Sequence, residues 1–424
     1  MRICDIVQAH TASSGGIRTY LDAKIGYLKK RTDWEHVLIV PGKSDRVRRN
    51  GRTAVYEVAA PPVPFCAPYR MMVRQDKIAA ILARERPQVI ELGSPYFLPG
   101  AARRHLRNHR CGVVGFYHTD VPDAYVRPFT GRVLGRRAGD LAGELASRWM
   151  RGIYRSFDAT VVPSLAVWKK LRTLGIAPVF YLNLGVDMET FHPSRRSEEL
   201  RRSLGVAEGG RLLVYAGRFD LEKRVGLLVE SFEKLSASLG ATLLLVGDGP
   251  LRDRLEEVAE RNPRVVVRSY TRSREELSGL LASADLYVTA GPSETFGLSV
   301  LEAQAAGLPV VGVAAGALLE RVTPENGILG PVDDSSAMAA NIERVIANGL
   351  AKRSAAARET VEREYSWAAT FHRMFDLYET ITRAKLGTAG AVQAHRRRPG
   401  PIRTWGRLAA RSRPVPVHFA REGR

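Results

Sequence analysis

Cysteine, long apolar runs and acidic charge are scarce in this chain of 424 residues, and each scarcity excludes a class of protein. The three cysteines, Cys4, Cys66 and Cys111, lie far apart and fit neither a disulfide framework nor a zinc site, which favours a reducing cytosol. No apolar stretch approaches the ~18 residues of a membrane span, and no charged region precedes a long apolar run at the N-terminus. The sequence therefore predicts a cytoplasmic protein, with a peripheral position on the inner face of the plasma membrane as an open alternative.

Basic residues are in excess, with 64 Lys and Arg against 44 Asp and Glu and a net charge of +20. The segment 385–424 alone holds ten Lys or Arg and one Glu. Its Arg, Pro and Gly content favours a disordered, solvated tail, and attraction to anionic phospholipid is a second interpretation. Nucleic acid is not expected as a partner, because few aromatics are interleaved and no nucleic-acid module stands out.

Short apolar runs alternate with helical stretches in both halves of the chain, which predicts βα units and parallel sheets. The runs are residues 2–7, 36–40, 89–91, 112–117 and 159–162 in the first half, and 211–216, 241–246, 264–267, 286–289 and 310–312 in the second. Two such sheets indicate two doubly wound domains with ligands at the carboxyl ends of the strands. Aromatic residues spaced along 367–383 predict a final helix that packs through them.

The segment 292–302, Pro-Ser-Glu-Thr-Phe-Gly-Leu-Ser-Val-Leu-Glu, is the most informative stretch. It follows an apolar strand and opens a helix that is predicted to run to about residue 306. A glycine turn at a helix N-terminus presents free N–H groups and a positive dipole end, where a phosphate can bind. Glu294 and Glu302 flank this turn, so they could bind hydroxyls of two groups joined by a phosphate, which is the outline of a nucleotide-sugar.

Cations are predicted at a second turn of the same domain. Arg218 and Lys223 follow the strand 211–216, where they could neutralise a diphosphate. They could also be solvated surface cations, because the adjacent Glu222 and Arg224 are charged as well. Two carboxylates also serve glycosidases, but a hydrolase has no use for a phosphate cradle.

Five motifs in a fixed order give the chain a family resemblance that covers residues 1 to 383. They are Ser13-Ser14-Gly15-Gly16, Tyr117-His118-Thr119-Asp120, Gly185-Val186-Asp187 with Phe191 and Pro193, Gly217-Arg218 with Lys223, and Glu294 with Glu302. Each motif alone is common, but the five together resemble the retaining GT-B glycosyltransferases of family 4.

The resemblance implies an α/β fold of the GT-B type, in which two doubly wound Rossmann-like domains face a cleft and a C-terminal helix crosses back to the first domain. On this basis, residues 1–183 are predicted to form the acceptor-side domain and residues 184–364 the nucleotide-sugar-binding domain. Residues 365–384 are predicted to form the returning helix, and residues 385–424 the basic tail.

The resemblance also assigns roles at the cleft. His118 and Glu294 become the catalytic candidates, His118 at the hydroxyls of the donor sugar and Glu294 near its anomeric centre. Glu302 is expected to bind the ribose. The remaining donor-binding candidates are Gly15, Gly16, Arg218, Lys223, Phe296, Gly297 and Leu298.

The activity implied by the resemblance is transfer of a hexose with retention at the anomeric carbon, from GDP-mannose first and from UDP-glucose or UDP-galactose next. No cofactor is expected, and no metal is implied because the chain has no Asp-x-Asp triplet. The expected acceptor is a lipid, a glycolipid or a polysaccharide precursor. An epimerase or hydrolase of the same fold and a non-catalytic nucleotide-sugar sensor remain as alternatives.

An Arg-rich stretch between residues 121 and 157 bears on the acceptor. From Leu141, apolar residues recur at helical spacing at Leu145, Trp149 and Ile153, with arginines around them. The pattern favours an amphipathic helix that packs against its own domain. The alternative is a cationic amphipathic surface that, together with the basic tail, binds an anionic membrane.

Overall fold

The computed structural model of the chain describes residues 1–8, 10, 15–63, 69–93, 100, 102, 110–270 and 273–387. Ser13, Ser14, Cys66 and residues 388–424 of the predicted tail lie outside this part. The two remaining cysteines are buried free thiols.

The first sheet has the order β3-β4-β2-β1-β5-β6-β7-β8 among the described residues, and its pairs are parallel except for β3 and β4. Its strands are β1 (Arg2–Ile6), β2 (Glu35–Gly42), β3 (Arg46–Asn50), β4 (Thr53–Ala59), β5 (Val89–Leu92), β6 (Gly112–Phe116), β7 (Ala159–Val162) and β8 (Val179–Tyr181). The central strands β5, β6 and β7 are buried along their whole length and are accordingly mostly apolar, with Glu91 of β5 as a buried charge.

The second sheet is wholly parallel, with the order β11-β10-β9-β12-β13-β14. Its strands are β9 (Arg211–Ala216), β10 (Ala241–Val246), β11 (Val265–Arg268), β12 (Leu286–Val288), β13 (Val310–Val313) and β14 (Gly327–Gly330). The two predicted parallel sheets are therefore confirmed, while the exact domain limits at residues 183 and 364 stay a prediction.

Helices cover both sheets. Among the described residues of the first half these are α1 (Gly15–Arg31), α2 (Gln75–Glu85), α3 (Arg127–Leu134), α4 (Arg136–Tyr154) and α5 (Leu165–Thr173), and a π-helical turn, Pro122–Val126, leads into α3. Those of the second half are α6 (Glu198–Ser203), α7 (Val225–Glu233), α8 (Arg252–Arg261), α9 (Arg274–Ser283), α10 (Leu298–Ala305), α11 (Leu318–Arg321), α12 (Ser335–Ala347), α13 (Leu350–Glu364) and α14 (Trp367–Gly387).

The last helix, α14, returns to the first domain as predicted. Phe371 and Phe375 of α14 pack against Tyr27 of α1 in tilted and edge-to-face arrangements, with ring centroids 5.4 and 5.7 Å away. One turn further along α14, Tyr378 is fully buried. The aromatic spacing thus reflects packing, and the helix ties the end of the described chain to the first sheet.

A charged cluster is buried beneath this contact. Lys24 of α1 donates hydrogen bonds from Nζ to Asp5 Oδ1 at 2.7 Å, to Glu91 Oε2 at 3.1 Å and to Tyr378 Oη at 2.9 Å. His36 Nε2 lies 2.6 Å from the other oxygen of Asp5. Buried charges are tolerated when they are paired and hydrogen-bonded in this way. The cluster therefore fixes the position of α14 through the hydrogen bond to Tyr378, and not through the apolar area that it buries.

Candidate active site

Both sheets have a topological switch point, which is the place where the order in which strands are added to the sheet reverses. Ligands of α/β proteins bind at such points. In the second sheet this point lies between β9 and β12, which are neighbours. In the first sheet it lies between β1 and β5. The predicted site residues follow these strands or the next one along.

The two predicted cations lie at the carboxyl end of β9. Nη2 of Arg218 is 3.0 Å from Asp220 Oδ2 and 2.9 Å from Glu222 Oε2. It also donates a hydrogen bond at 3.0 Å to the hydroxyl of Tyr125, which belongs to the first domain. Burial lowers the pKa of Arg218, but Tyr125 and the two carboxylates raise it by more than burial lowers it. The net shift of the pKa is therefore upward, and the side chain stays charged.

Lys223 brings the turn after β9 to the turn after β12. Its Nζ donates a short hydrogen bond to Oε1 of Glu294 and lies 3.6 Å from Glu222 Oε1. Burial lowers the pKa of Lys223, and Glu294 and Glu222 more than compensate, so the pKa is raised overall. The structure thus brings Lys223 and Glu222 together with Glu294, which lies more than 70 positions further along the chain.

The helix that the segment 292–302 opens is α10, Leu298–Ala305, one residue short of the predicted end. Gly297 precedes it with φ +78°, a left-handed conformation that favours glycine. Phe296 and Leu298 are buried on either side of this turn. The N–H groups of Val300 and Leu301 donate to the Gly297 carbonyl oxygen at 3.1 and 3.2 Å, so those of Leu298 and Ser299 are the ones available to an anion.

Glu302 is buried, one turn into α10. Its Oε1 lies 3.4 Å from Nη1 of Arg274, at the start of α9. Burial raises the pKa of Glu302 to about 7, although Arg274 acts in the opposite direction. The same Arg274 nitrogen donates to Thr19 Oγ1 of α1 at 3.2 Å, and the guanidinium lies 4.9 Å from the ring centroid of Phe191.

Gly15 and Gly16 form the first residues of α1. An ideal Cβ built on Gly16 would lie 3.9 Å from Leu298 Cδ2, so this end of α1 faces the turn that opens α10.

His118 follows β6 and faces the same turn from the first domain. Its carbonyl oxygen accepts a hydrogen bond at 2.8 Å from Thr295 Oγ1. The imidazole stacks on Phe116 at 4.1 Å, and burial lowers its pKa to about 3, so it is neutral at physiological pH. Nε2 is buried and has no hydrogen-bond partner among the described residues.

Asp120, two residues beyond His118, does not orient it. Its carboxylate accepts hydrogen bonds from Lys170 Nζ at 2.7 and 2.6 Å and from the Tyr117 hydroxyl at 3.0 Å. These contacts hold the start of the π-helical turn against α5, so Asp120 positions the loop rather than the imidazole.

Arg321 fixes the mutual position of the domains behind the site. It is 1% exposed, and it donates to the carbonyl oxygens of Phe296 at 3.1 Å and Pro163 at 2.9 Å and to the Tyr365 hydroxyl at 3.1 Å. The guanidinium also lies 4.5 Å from the ring centroid of Phe296. One buried side chain thus holds the turn that opens α10, the end of β7 in the first sheet and the entry to α14.

The sequence missed Tyr125, Arg274, Thr295 and Arg321. Each acts through a contact with a residue far away along the chain, and no local pattern marks such a contact. In contrast, the carboxyl ends of apolar strands and the glycine turn can be recognised in the sequence. They are the features from which Arg218, Lys223, Glu294 and Glu302 were predicted.

The Arg-rich stretch folds as a helical hairpin. The predicted packing against its own domain is found for Ile153, which is partly buried, but was wrong for the other three apolar residues. Leu141, Leu145 and Trp149 of α4 are 60, 54 and 50% exposed, so they do not pack against their own domain. The buried side of α4 is made instead by small residues and two larger ones, namely Gly139, Gly143, Ser147, Met150 and Tyr154.

No helix among the described residues is long and apolar enough to cross a membrane. Within the same ranges, no group of His, Cys, Asp or Glu side chains is arranged to hold a metal ion. The expectation of a metal-free and cofactor-free site stays a prediction.

Two family models match the chain. The model described as "Glycosyltransferase Family 4" matches residues 14–190, and the model described as "Glycosyl transferases group 1" matches residues 210–348. The first match includes His118 and the strands of the first sheet except β1, and the second spans the sheet with Arg218, Lys223, Glu294 and Glu302.

Similar proteins include a GDP-mannose-dependent alpha-(1-6)-phosphatidylinositol dimannoside mannosyltransferase of Mycobacterium tuberculosis, 31% identical over 77% of this chain and 83% of the relative. A GDP-mannose-dependent alpha-mannosyltransferase of Corynebacterium glutamicum is 27% identical over 90% of this chain and 89% of the relative. Among solved structures, a sucrose-phosphate synthase of Thermosynechococcus elongatus superposes with a TM-score of 0.73 and 22% identity, covering 91% of this chain and 100% of the other. The predicted GT-B fold is confirmed.

Proposed function

Because the chain belongs to the group 1 glycosyltransferases of family 4, it is a glycosyltransferase, and we propose that it moves a mannose from GDP-mannose to a lipid-linked acceptor with retention at the anomeric carbon. UDP-glucose and UDP-galactose are the next donors to consider. The acceptor class comprises lipids, glycolipids and polysaccharide precursors.

The observation that carries the proposal is the contact between Lys223 and Glu294 beside Arg218, at the switch point of the second sheet. A site for a nucleotide-sugar needs cations for the diphosphate within reach of a carboxylate for the sugar. Here a cation and a carboxylate from different turns already touch each other, and the N-terminus of α10 lies next to them.

Each residue has a part in the proposed reaction. Breaking the bond from the anomeric carbon to the diphosphate leaves positive charge on the sugar and negative charge on the departing phosphate. Arg218, Lys223 and the N–H groups at α10 would stabilise that phosphate in a site already oriented for it. The neutral His118 could donate its free hydrogen bond to a sugar hydroxyl, and Glu302 would accept from the ribose.

Retention would follow if the acceptor attacked from the face that the diphosphate leaves, with a phosphate oxygen taking the proton of the acceptor hydroxyl. In that case no protein side chain acts as general base. Glu294 would remain beside the anomeric centre to bind a hydroxyl and to stabilise positive charge.

Lipid acceptors are supported by the name of one relative, which acts on a phosphatidylinositol dimannoside, and by the exposed apolar residues of α3 and α4. We place the enzyme in the cytoplasm, at the inner face of the membrane, where a water-soluble donor and a membrane-bound acceptor can meet.

A panel of nucleotide-sugars tests the donor. GDP-mannose at 100 times its dissociation constant should stabilise the protein by about 2.7 kcal/mol in a thermal melt, and UDP-sugars should stabilise it less. Arg218→Ala should weaken binding about 10- to 150-fold, the range for a lost charged hydrogen bond. The matched control is Arg224→Gln, because Arg224 pairs with Asp333 at 2.9 Å instead of facing the cleft. Equal binding by both variants would refute the phosphate assignment.

A transfer assay tests the reaction. Radiolabelled mannose should move from GDP-mannose to an extract of bacterial lipids, and the anomeric configuration of the product should match that of the donor by NMR. Release of free mannose without acceptor would indicate the hydrolase alternative, and donor binding without turnover would indicate a sensor. Unchanged transfer in the presence of a chelator is expected if no metal takes part.

A further inference from the structure

The helical hairpin of α3 and α4 exposes large apolar side chains on both of its helices. On α3 these are Phe129, Val133 and Leu134, at 74, 64 and 71% exposure, and on α4 they are Leu141, Leu145 and Trp149, at 60, 54 and 50%. We call these six residues the hairpin surface. Six large apolar side chains this exposed on two adjacent helices are uncommon in a soluble monomer and indicate a site of interaction.

Glycines allow α3 and α4 to approach each other closely. An ideal Cβ on Gly139 would lie 2.7 Å from the carbonyl oxygen of Arg127 and 2.8 Å from Cα of Gly131, so only glycine allows this approach. Gly143 lies close to the guanidinium of Arg127, with 3.0 Å between its ideal Cβ and Cζ. The seam between α3 and α4 is therefore made without large apolar side chains.

The position of this seam decides where the hairpin surface points. Phe129 and Val133 each lie two residues from Gly131, and Leu141 and Leu145 each lie two residues from Gly143. Two residues correspond to about 200° of rotation on a helix, so these side chains point away from the seam on each helix. An occupant must therefore surround the hairpin rather than cover one flat face.

Charge identifies the occupant. Residues 127–155 carry seven arginines against one aspartate and one glutamate. Both acids are already paired, Asp140 with Arg127 at 2.6 Å and Glu144 with Arg148 at 3.6 Å. Apolar side chains on two faces, a basic excess and arginines long enough to reach a polar interface fit an anionic lipid bilayer.

We propose that the hairpin of α3 and α4 inserts shallowly into an anionic phospholipid bilayer and docks the enzyme there. Neither helix can span the membrane, so the insertion is limited to the interfacial region. Trp149 suits this region, because its ring is apolar and its N–H is polar.

The docked orientation would serve the donor site. The hairpin continues from the π-helical turn Pro122–Val126, and Tyr125 in this turn contacts Arg218. Docking therefore brings the cleft to the lipid surface. This last step depends on the proposed function, whereas docking itself does not.

Vesicle binding by the full chain tests the proposal without donor or acceptor, so its outcome is independent of the transfer assay. The protein should bind vesicles that contain phosphatidylglycerol and should bind vesicles of phosphatidylcholine alone much more weakly. The double variant Leu145→Ser, Trp149→Ser should lose about tenfold or more in binding, because partly exposed side chains lose only part of their transfer free energy. The double variant Arg136→Gln, Arg137→Gln should lose about 30-fold.

Matched controls change the same residue types elsewhere. Leu319→Ser alters a leucine that is 57% exposed on α11, and Arg202→Gln with Arg254→Gln removes two exposed arginines of the second domain. These controls should bind vesicles like the wild type. The proposal is overturned if they lose as much binding as the hairpin variants, which would indicate non-specific adhesion.

Brominated lipid tests insertion directly. It should quench part of the tryptophan fluorescence of the wild type, and Trp149→Phe should remove that part while vesicle binding remains. Binding without any quenching at Trp149 would overturn insertion, and wild-type affinity of both hairpin double variants would overturn docking through this surface.

Discussion

The pH dependence of donor binding gives the sharpest test of the role assigned to Glu302. Burial raises the pKa of this carboxyl to about 7 in the ligand-free protein. Ribose hydroxyls donate hydrogen bonds, so they bind best to the ionised carboxylate. We therefore expect the affinity for GDP-mannose to rise as the pH increases through 7 and then to level off.

The magnitude follows from the ionised fraction. With a pKa near 7, about one molecule in ten is ionised at pH 6 and about nine in ten at pH 8, so the affinity should differ about tenfold between these values. Isothermal titration calorimetry with GDP-mannose measures this, because the doubly esterified diphosphate keeps its charge over the range. Equal dissociation constants at the two pH values would refute the reasoning.

Two variants assign the titration to Glu302. Glu302→Gln should bind weakly at every pH and remove the slope. Arg274→Gln should move the midpoint above 7, because Arg274 lowers the pKa of Glu302. A midpoint that stays at 7 in both variants would assign the proton to another group.

The same proton is linked to folding. The pKa of Glu302 is higher in the folded protein than its usual value of 4.5, so the folded state holds more protons between these values. Stability of the unliganded protein should therefore fall as the pH rises from about 4.5 to 7, and Glu302→Gln should remove this contribution.

Three further changes test the framework around the site. Lys24→Met leaves two buried carboxylates without their cation and should lower the free energy of unfolding by about 3–5 kcal/mol in urea, whereas a loss below about 1 kcal/mol would contradict the buried cluster. Arg321→Met leaves three acceptors unpaired and should cost about 3 kcal/mol, with a matching drop in transfer rate, and wild-type values of both would speak against a clamp between the domains. Gly139→Leu should force the hairpin apart at a cost of about 1–3 kcal/mol and expose it to limited proteolysis, and an unchanged digestion pattern would argue against the glycine seam.

The strands were predictable where burial makes them continuous and apolar. Residues 211–216 and 241–246 are strands β9 and β10 at the predicted limits, because both lie in the middle of a parallel sheet. Strand β3 was missed because its residues are all exposed and three of its five are arginines. It pairs with β4 at the edge of the sheet, where backbone pairing suffices without apolar side chains.

In the hairpin of α3 and α4, by contrast, an apolar pattern is present but its side chains are exposed. Apolar residues at a spacing of four ordinarily mark the buried face of a helix, so the pattern predicts that Leu141, Leu145 and Trp149 are buried. The buried face of α4 consists mainly of small residues, which carry no hydrophobic signal. The helix is amphipathic, as the pattern predicts, but these three apolar side chains face solvent instead of the protein interior.

The cleft of the ligand-free protein has its charges paired with one another. Lys223 is paired with Glu294, Arg218 with Glu222, and Arg274 with Glu302, which avoids leaving a buried cation without a counter-charge. A diphosphate that binds Lys223 takes the place of Glu294 and leaves this carboxylate without its cation. In a complete nucleotide-sugar, a sugar hydroxyl can replace the lost partner, because it arrives on the same molecule. We therefore expect the sugar to contribute more to affinity than its own contacts suggest, since it offsets the penalty that the diphosphate creates at Glu294.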